Sequence, residues 1–116
     1  LLDYVNYKRG ETGDGEWLLS VLRECIKKSG VREVHSHVEI FDGEDSPPGF
    51  AAVVLIDESH VTAHCYSERG ILALDVFTCG DSDPSEVAAM INDALVSEIP
   101  GLRRVFEKRV ERFRSD

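Results

Sequence analysis

Long apolar runs, an excess of basic residues and paired cysteines are all missing from this chain. No apolar stretch approaches the roughly 20 residues that a membrane-spanning helix requires, so no membrane partner is expected. The first residues also lack the basic start and apolar core of a secretory signal. Lys and Arg number 13 against 22 Asp and Glu, a net charge of -9. Nucleic-acid backbones are held by basic patches, so this balance argues against a nucleic-acid partner. Three cysteines, Cys25, Cys65 and Cys79, cannot all pair and match no zinc spacing. They predict reduced thiols and a cytoplasmic protein. Low-complexity segments and repeats are absent as well.

What is present describes an ordinary globular domain. The 116 residues suffice for one domain over 1–116, and an apolar fraction of 42% is that of a packed core. Leu1 to Tyr7 reads as a strand. Glu16 to Ser29 carries Leu18, Val21, Leu22, Cys25 and Ile26 at helical spacing, with Gly30 placed to cap it. Val31 to Phe41 alternates, setting Val34, Ser36, Val38 and Ile40 against His35, His37, Glu39 and Phe41. A turn-rich acidic loop follows over Asp42 to Gly49.

Phe50 to Ile56 is a buried strand, Val61 to Cys65 its hairpin partner, and Ile71 to Phe77 another strand. Asp83-Pro84-Ser85-Glu86 opens a second helix that must end before Pro100. Leu102 to Phe113 fits a charged edge strand or a surface helix. The order β-α-β-β-β-β-α-β predicts an α+β two-layer sandwich, a mainly antiparallel sheet covered on one face by two helices.

The chemistry-bearing residues gather between Val53 and Gly80. One apolar run ends in Asp57-Glu58-Ser59-His60, His64 follows, and a second run ends in Phe77-Thr78-Cys79-Gly80. Reactive groups are often mounted on turns held by a rigid sheet. Taken alone, Ser59 between Glu58 and His60 reads as a plain hairpin turn. His35 and His37 share one strand face, but no partner completes a metal-ligand spacing. Cys25 and Cys65 read as small buried apolar residues.

Taken together, Glu58-Ser59-His60, His64, Glu68 and Asp75-Val76-Phe77-Thr78-Cys79-Gly80 resemble the prokaryotic S-adenosylmethionine decarboxylases. These are pyruvoyl enzymes of spermidine and polyamine synthesis, made as proenzymes. The resemblance implies that the chain splits between Glu58 and Ser59. Ser59 then becomes the pyruvoyl cofactor, whose ketone forms a Schiff base with the substrate. It implies that His64 carries a proton during self-cleavage and that Cys79 returns a proton to the substrate carbon. Glu68 would accept hydrogen bonds from the ribose, and Phe41 would stack on the adenine. It implies a homodimer whose active sites draw on both protomers.

Three departures stand out. The family's glycine-x-serine-glycine appears here as Gly49-Phe50-Ala51-Ala52, so Ala51 replaces a hydroxyl that promotes the acyl shift. Removing one such donor costs about 10²–10³ in rate in other systems. Ser46 is near in sequence. The Trp-Pro after the family's His-Thr pair is replaced by Tyr66-Ser67, and Asp42 to Ser46 is inserted after Phe41. The acidic loop suits a more basic substrate, arginine or ornithine. Ala51 suits a homologue that does not process itself and serves as a binding or partner subunit.

Overall fold

A computed structural model describes residues 1–9, 12–78 and 83–112. The elements follow the expected order: β1 (Leu2–Val5), α1 (Asp14–Lys28), β2 (Glu33–Phe41), β3 (Gly49–Ile56), β4 (Ser59–Tyr66), β5 (Ile71–Phe77), α2 (Pro84–Glu98) and β6 (Arg103–Glu107). The strands form one sheet in the order β2-β3-β4-β5-β1-β6. Every pairing is antiparallel.

Local chemistry explains where the helices begin and end. α1 starts after Gly13, whose φ of 75 is left-handed, and stops before Gly30 at φ 80. Asp14 and Glu16 occupy its first turn and Lys27 and Lys28 its last, each favourable to the helix dipole. Leu18, Leu22, Cys25 and Ile26 form the buried stripe. At the start of α2 the Ser85 backbone N–H donates to the Asp83 carboxylate at 2.9 Å, which caps the helix. Val87, Ile91 and Leu95 point inward from it.

Both helices lie on one sheet face, α1 against β2 and β3 and α2 against β5. Alternate strand residues meet them: Ala52, Val54 and Ile56, Val61, Ala63 and Cys65, Leu72 and Leu74, Leu2 and Tyr4, all buried. The Tyr4 hydroxyl donates to Asn92 Oδ1 on α2 at 2.7 Å. No helix covers the residues between them, so the opposite face is open. There Leu55, Tyr66 and Phe106 are exposed.

Two details differ from the sequence reading. Val34 and Ile40 are exposed although the alternation puts them on the apolar face. β2 is an edge strand and its register shifts between Glu33 and His35, so only Val38 near its middle packs on the core. The ambiguous segment resolves as an exposed edge strand paired with β1, followed by irregular backbone over 108–112. No helix among the described residues is long and apolar enough to cross a membrane.

Candidate active site

The β3–β4 hairpin turns on two residues, Asp57 and Glu58. Glu58 has a φ of 60, a left-handed conformation that costs a non-glycine residue about 1–3 kcal/mol. Ser59, the first residue of β4, is half-buried immediately after this strained position. A brace holds the turn from the side. Arg32 donates to both Asp57 carboxylate oxygens, at 3.0 and 2.7 Å, while the Asp57 N–H donates to the Arg32 carbonyl at 3.2 Å. The fork of bonds from Arg32 keeps the Asp57 carboxyl below the usual carboxylate range.

Beside Ser59, His60 faces Phe77 across the β4–β5 pair, the rings stacked at 5.3 Å and 29°. They border a cleft of about 440 Å³ between the ends of β4 and β5, the start of α2 and segment 107–112. Asp75 lines the same cleft. Cys79 falls outside the described residues.

The opposite end of β4 holds the other residues. Register sets His64 directly across from Ala51, and Tyr66 across from Gly49, whose other neighbour is Phe41. Two aromatic side chains therefore flank a position without one. Glu68 is exposed in the turn that follows β4. Ser59 and His64 stand five residues apart on one strand, which at about 3.3 Å per residue is roughly 16 Å. Their odd spacing also puts them on opposite faces. The residues that the motif places within a few positions of each other thus form two clusters, one at each end of the sheet. Phe41, His64 and Glu68 belong to one, and Glu58 and Ser59 to the other.

The remaining candidates lie elsewhere. Cys25 and Cys65 are free and buried in the core, and burial pushes the Cys65 thiol up to about 11. They are packing residues, as the sequence suggested. His37 sits 3.5 Å from Glu39 on the edge strand. Among the described residues no three His, Cys, Asp or Glu side chains converge as a metal site. Ser46 lies in the exposed loop before Gly49.

Comparisons with known proteins address the same architecture. The S-adenosylmethionine decarboxylase family model matches residues 1–106. The chain belongs to this family. A relative from Bacillus velezensis, an S-adenosylmethionine decarboxylase proenzyme, is 47% identical over 84 residues, covering 71% of this chain and 62% of that protein. The match therefore spans less than two thirds of that relative's length. A proenzyme of the same description from Geobacillus sp. (strain WCH70) is 35% identical over 107 residues, covering 84% of this chain and 82% of the relative. In three dimensions, the adenosylmethionine decarboxylase of Aquifex aeolicus superposes with a TM-score of 0.62 at 23% identity, over 99% of this chain and 92% of that one. That likeness establishes the α+β sandwich.

Within the family fold, several site features went unread in the sequence. Tyr66 joins Phe41 only because β2, β3 and β4 lie side by side at Gly49. The His60–Phe77 stack needs the β4–β5 register. Local spacing carries neither signal. Alternation within each strand, once the partners are known, yields both.

Proposed function

We propose that this chain is the proenzyme of a pyruvoyl-dependent S-adenosylmethionine decarboxylase that serves polyamine synthesis and works as a cytoplasmic homodimer with shared sites. The observation that carries the reading is the separation of Ser59 and His64 at opposite ends and on opposite faces of β4. One copy cannot join Ser59 to His64 across roughly 16 Å of rigid strand. A two-fold association that sets the Ser59 end of one copy's β4 against the His64 end of the other's closes that distance. The same contact buries the exposed Leu55, Tyr66 and Phe106. Reduced, buried Cys25 and Cys65 suit the cytoplasm.

In this reading Ser59 Oγ attacks the Glu58 carbonyl carbon. The Glu58–Ser59 C–N bond breaks as the ester C–O bond forms. Elimination then takes the Ser59 Cα proton and breaks its Cβ–O bond, leaving Glu58 as the carboxylate end of fragment 1–58 and residue 59 as a dehydroalanine, whose imine tautomer water hydrolyses to the pyruvoyl ketone with release of ammonia. The left-handed Glu58 favours the step, because strain of about 1–3 kcal/mol is released when its peptide bond opens. His64 from the second copy carries the proton.

Ser59 follows a strained turn and precedes His60, which lines a cleft of about 440 Å³, a position that fits a residue consumed to make a cofactor. Once formed, the pyruvoyl group supplies the electron sink for decarboxylation. Phe41 and Tyr66 hold the adenine from two sides of Gly49, Glu68 accepts the ribose hydroxyls, and Cys79 returns the proton.

Complementation tests the shared site. Ser59→Ala and His64→Ala chains are mixed, in an Ala51→Ser background, and followed by intact mass. Each variant alone stays whole. In mixed dimers the His64→Ala chain receives the partner's imidazole, so roughly half of those chains split before Ser59 under random pairing. No cleavage in mixed dimers that demonstrably form, or full cleavage of His64→Ala alone, would defeat the reading.

Ala51 itself supports a second reading, a copy that does not process and serves as a partner subunit. Prolonged incubation that leaves the chain whole favours it. The exposed acids Asp42, Glu44 and Asp45 support arginine or ornithine as substrate. Carbon dioxide release from those amino acids, without release from S-adenosylmethionine, decides for that substrate.

A further inference from the structure

The cleft bordered by His60 and Phe77 is walled on one side by the chain's own segment 107–112. Lys108 continues the β1–β6 ladder, its N–H donating to the Leu1 carbonyl at 3.0 Å. Arg109 anchors the next stretch to the start of α2, donating to Ser85 Oγ at 3.0 Å and to Asp83 Oδ1 at 3.3 Å. This leads Arg112 across the cleft, and its guanidinium carbon lies 5.4 Å from the centroid of the Phe77 ring. Phe77 is fixed beneath it by the stack with His60 at 5.3 Å.

Asp75 lies two residues before Phe77 on the same face of β5 and lines the same cleft. It is half-buried and makes no hydrogen bond or ion pair among the described residues. A carboxylate withdrawn from water normally acquires a partner. Of the neighbouring charges, Glu107 is occupied by Arg104 at 3.3 Å and Arg109 by Asp83. An aromatic face beside an unpaired carboxylate is the arrangement that recognises an organic cation.

We propose that this cleft is a binding site for a small organic cation, an alkylammonium or guanidinium, seated on Phe77 beside Asp75, and that Arg112 occupies the place as a tethered competitor. The site rests on the cleft alone and not on the decarboxylase reading. A cation entering the cleft displaces Arg112, so the tail reports occupancy and limits affinity.

The test uses the full chain as Ser59→Ala, which cannot self-cleave, so that binding is read apart from processing and decarboxylation. Methylguanidinium is titrated while ring-proton shifts of His60 and Phe77 are followed by NMR, with methylurea as the neutral control. Arg112→Gln should tighten methylguanidinium about two- to five-fold, the range expected for removing an exposed competing cation. Asp75→Asn should weaken it, and Phe77→Leu should abolish the shifts at His60. In the chain that keeps Arg112, saturating methylguanidinium should move the Arg112 side-chain resonances away from the ring-current shift of Phe77, while methylurea should not. Equal affinity with and without Arg112, or methylurea binding as well as methylguanidinium, overturns the proposal. Asp75→Asn keeps the test meaningful if Phe77→Leu fails to fold.

Discussion

Replacing Ala51 by serine should supply a hydroxyl to the proposed self-cleavage. The register sets residue 51 directly opposite His64 on the open face. Directly paired Cβ atoms lie about 4.5–5.5 Å apart, so a serine hydroxyl reaches the imidazole within hydrogen-bond range. The position is half-buried and carries a methyl group already, so one added oxygen requires no repacking. A preorganised donor aimed at developing negative charge is worth about 10²–10³ in rate, or roughly 2.7–4 kcal/mol. Ala51→Ser should therefore accelerate the splitting of the chain by about that factor.

The assay is intact-mass spectrometry over time, reading fragments 1–58 and 59–116. They are equal in length, so a gel can hide the split. A control, Ala52→Ser, puts a hydroxyl on the helix-facing side and should not speed cleavage. Ala51→Ser at the wild-type rate, with the fold intact, refutes the argument from register.

Other consequences concern the scaffold. Gly49→Ala should cost about 3–5 kcal/mol or prevent folding, because a methyl group there overlaps the Cys65 carbonyl oxygen in the neighbouring strand; denaturant unfolding measures it. Cys65 makes stability fall at alkaline pH: the unfolded thiol ionises near 9.0 while the buried one holds its proton to about 11. The loss across that window is about 2–3 kcal/mol, and Cys65→Ala should flatten it in melts at increasing pH. The Arg32–Asp57 brace acts in the opposite direction. Because the folded Asp57 carboxyl lies below its unfolded value, its contribution is present above the carboxylate range near about pH 4 and is lost as pH falls through it. Asp57→Asn and wild type should differ in stability at neutral pH and converge in acid.

The element order was legible because each element carries its own local signal. Asp83-Pro84 starts α2, Gly30 ends α1, and the alternation of β4 survives in its burial. The faces of β2 were less legible, since period-2 patterning does not tell an edge strand from a central one. Val34 and Ile40 alternate like core residues yet stay exposed on the edge strand. The segment after Leu102 was ambiguous because every residue of β6 is exposed, so no apolar period exists to read. The candidate site divides in the same way. Ser59, His64, Glu68 and Phe41 are visible as residue types, but their grouping depends on which strands adjoin.

That grouping changes what the motif means. In sequence, Glu58 to Glu68 is a compact run that suggests a nucleophile with its proton carrier close by. In the fold a strand is a rigid spacer, so compactness along β4 becomes separation in space. The strained turn and the cleft belong to one end of the sheet, and Ala51, His64 and the Phe41–Tyr66 pair to the other. In the proposed dimer, a defect at Ala51 acts on the neighbouring copy's Ser59 and leaves its own turn, brace and cleft intact. On that proposal, a chain without the hydroxyl at residue 51 keeps the Ser59 end on which a competent partner would act.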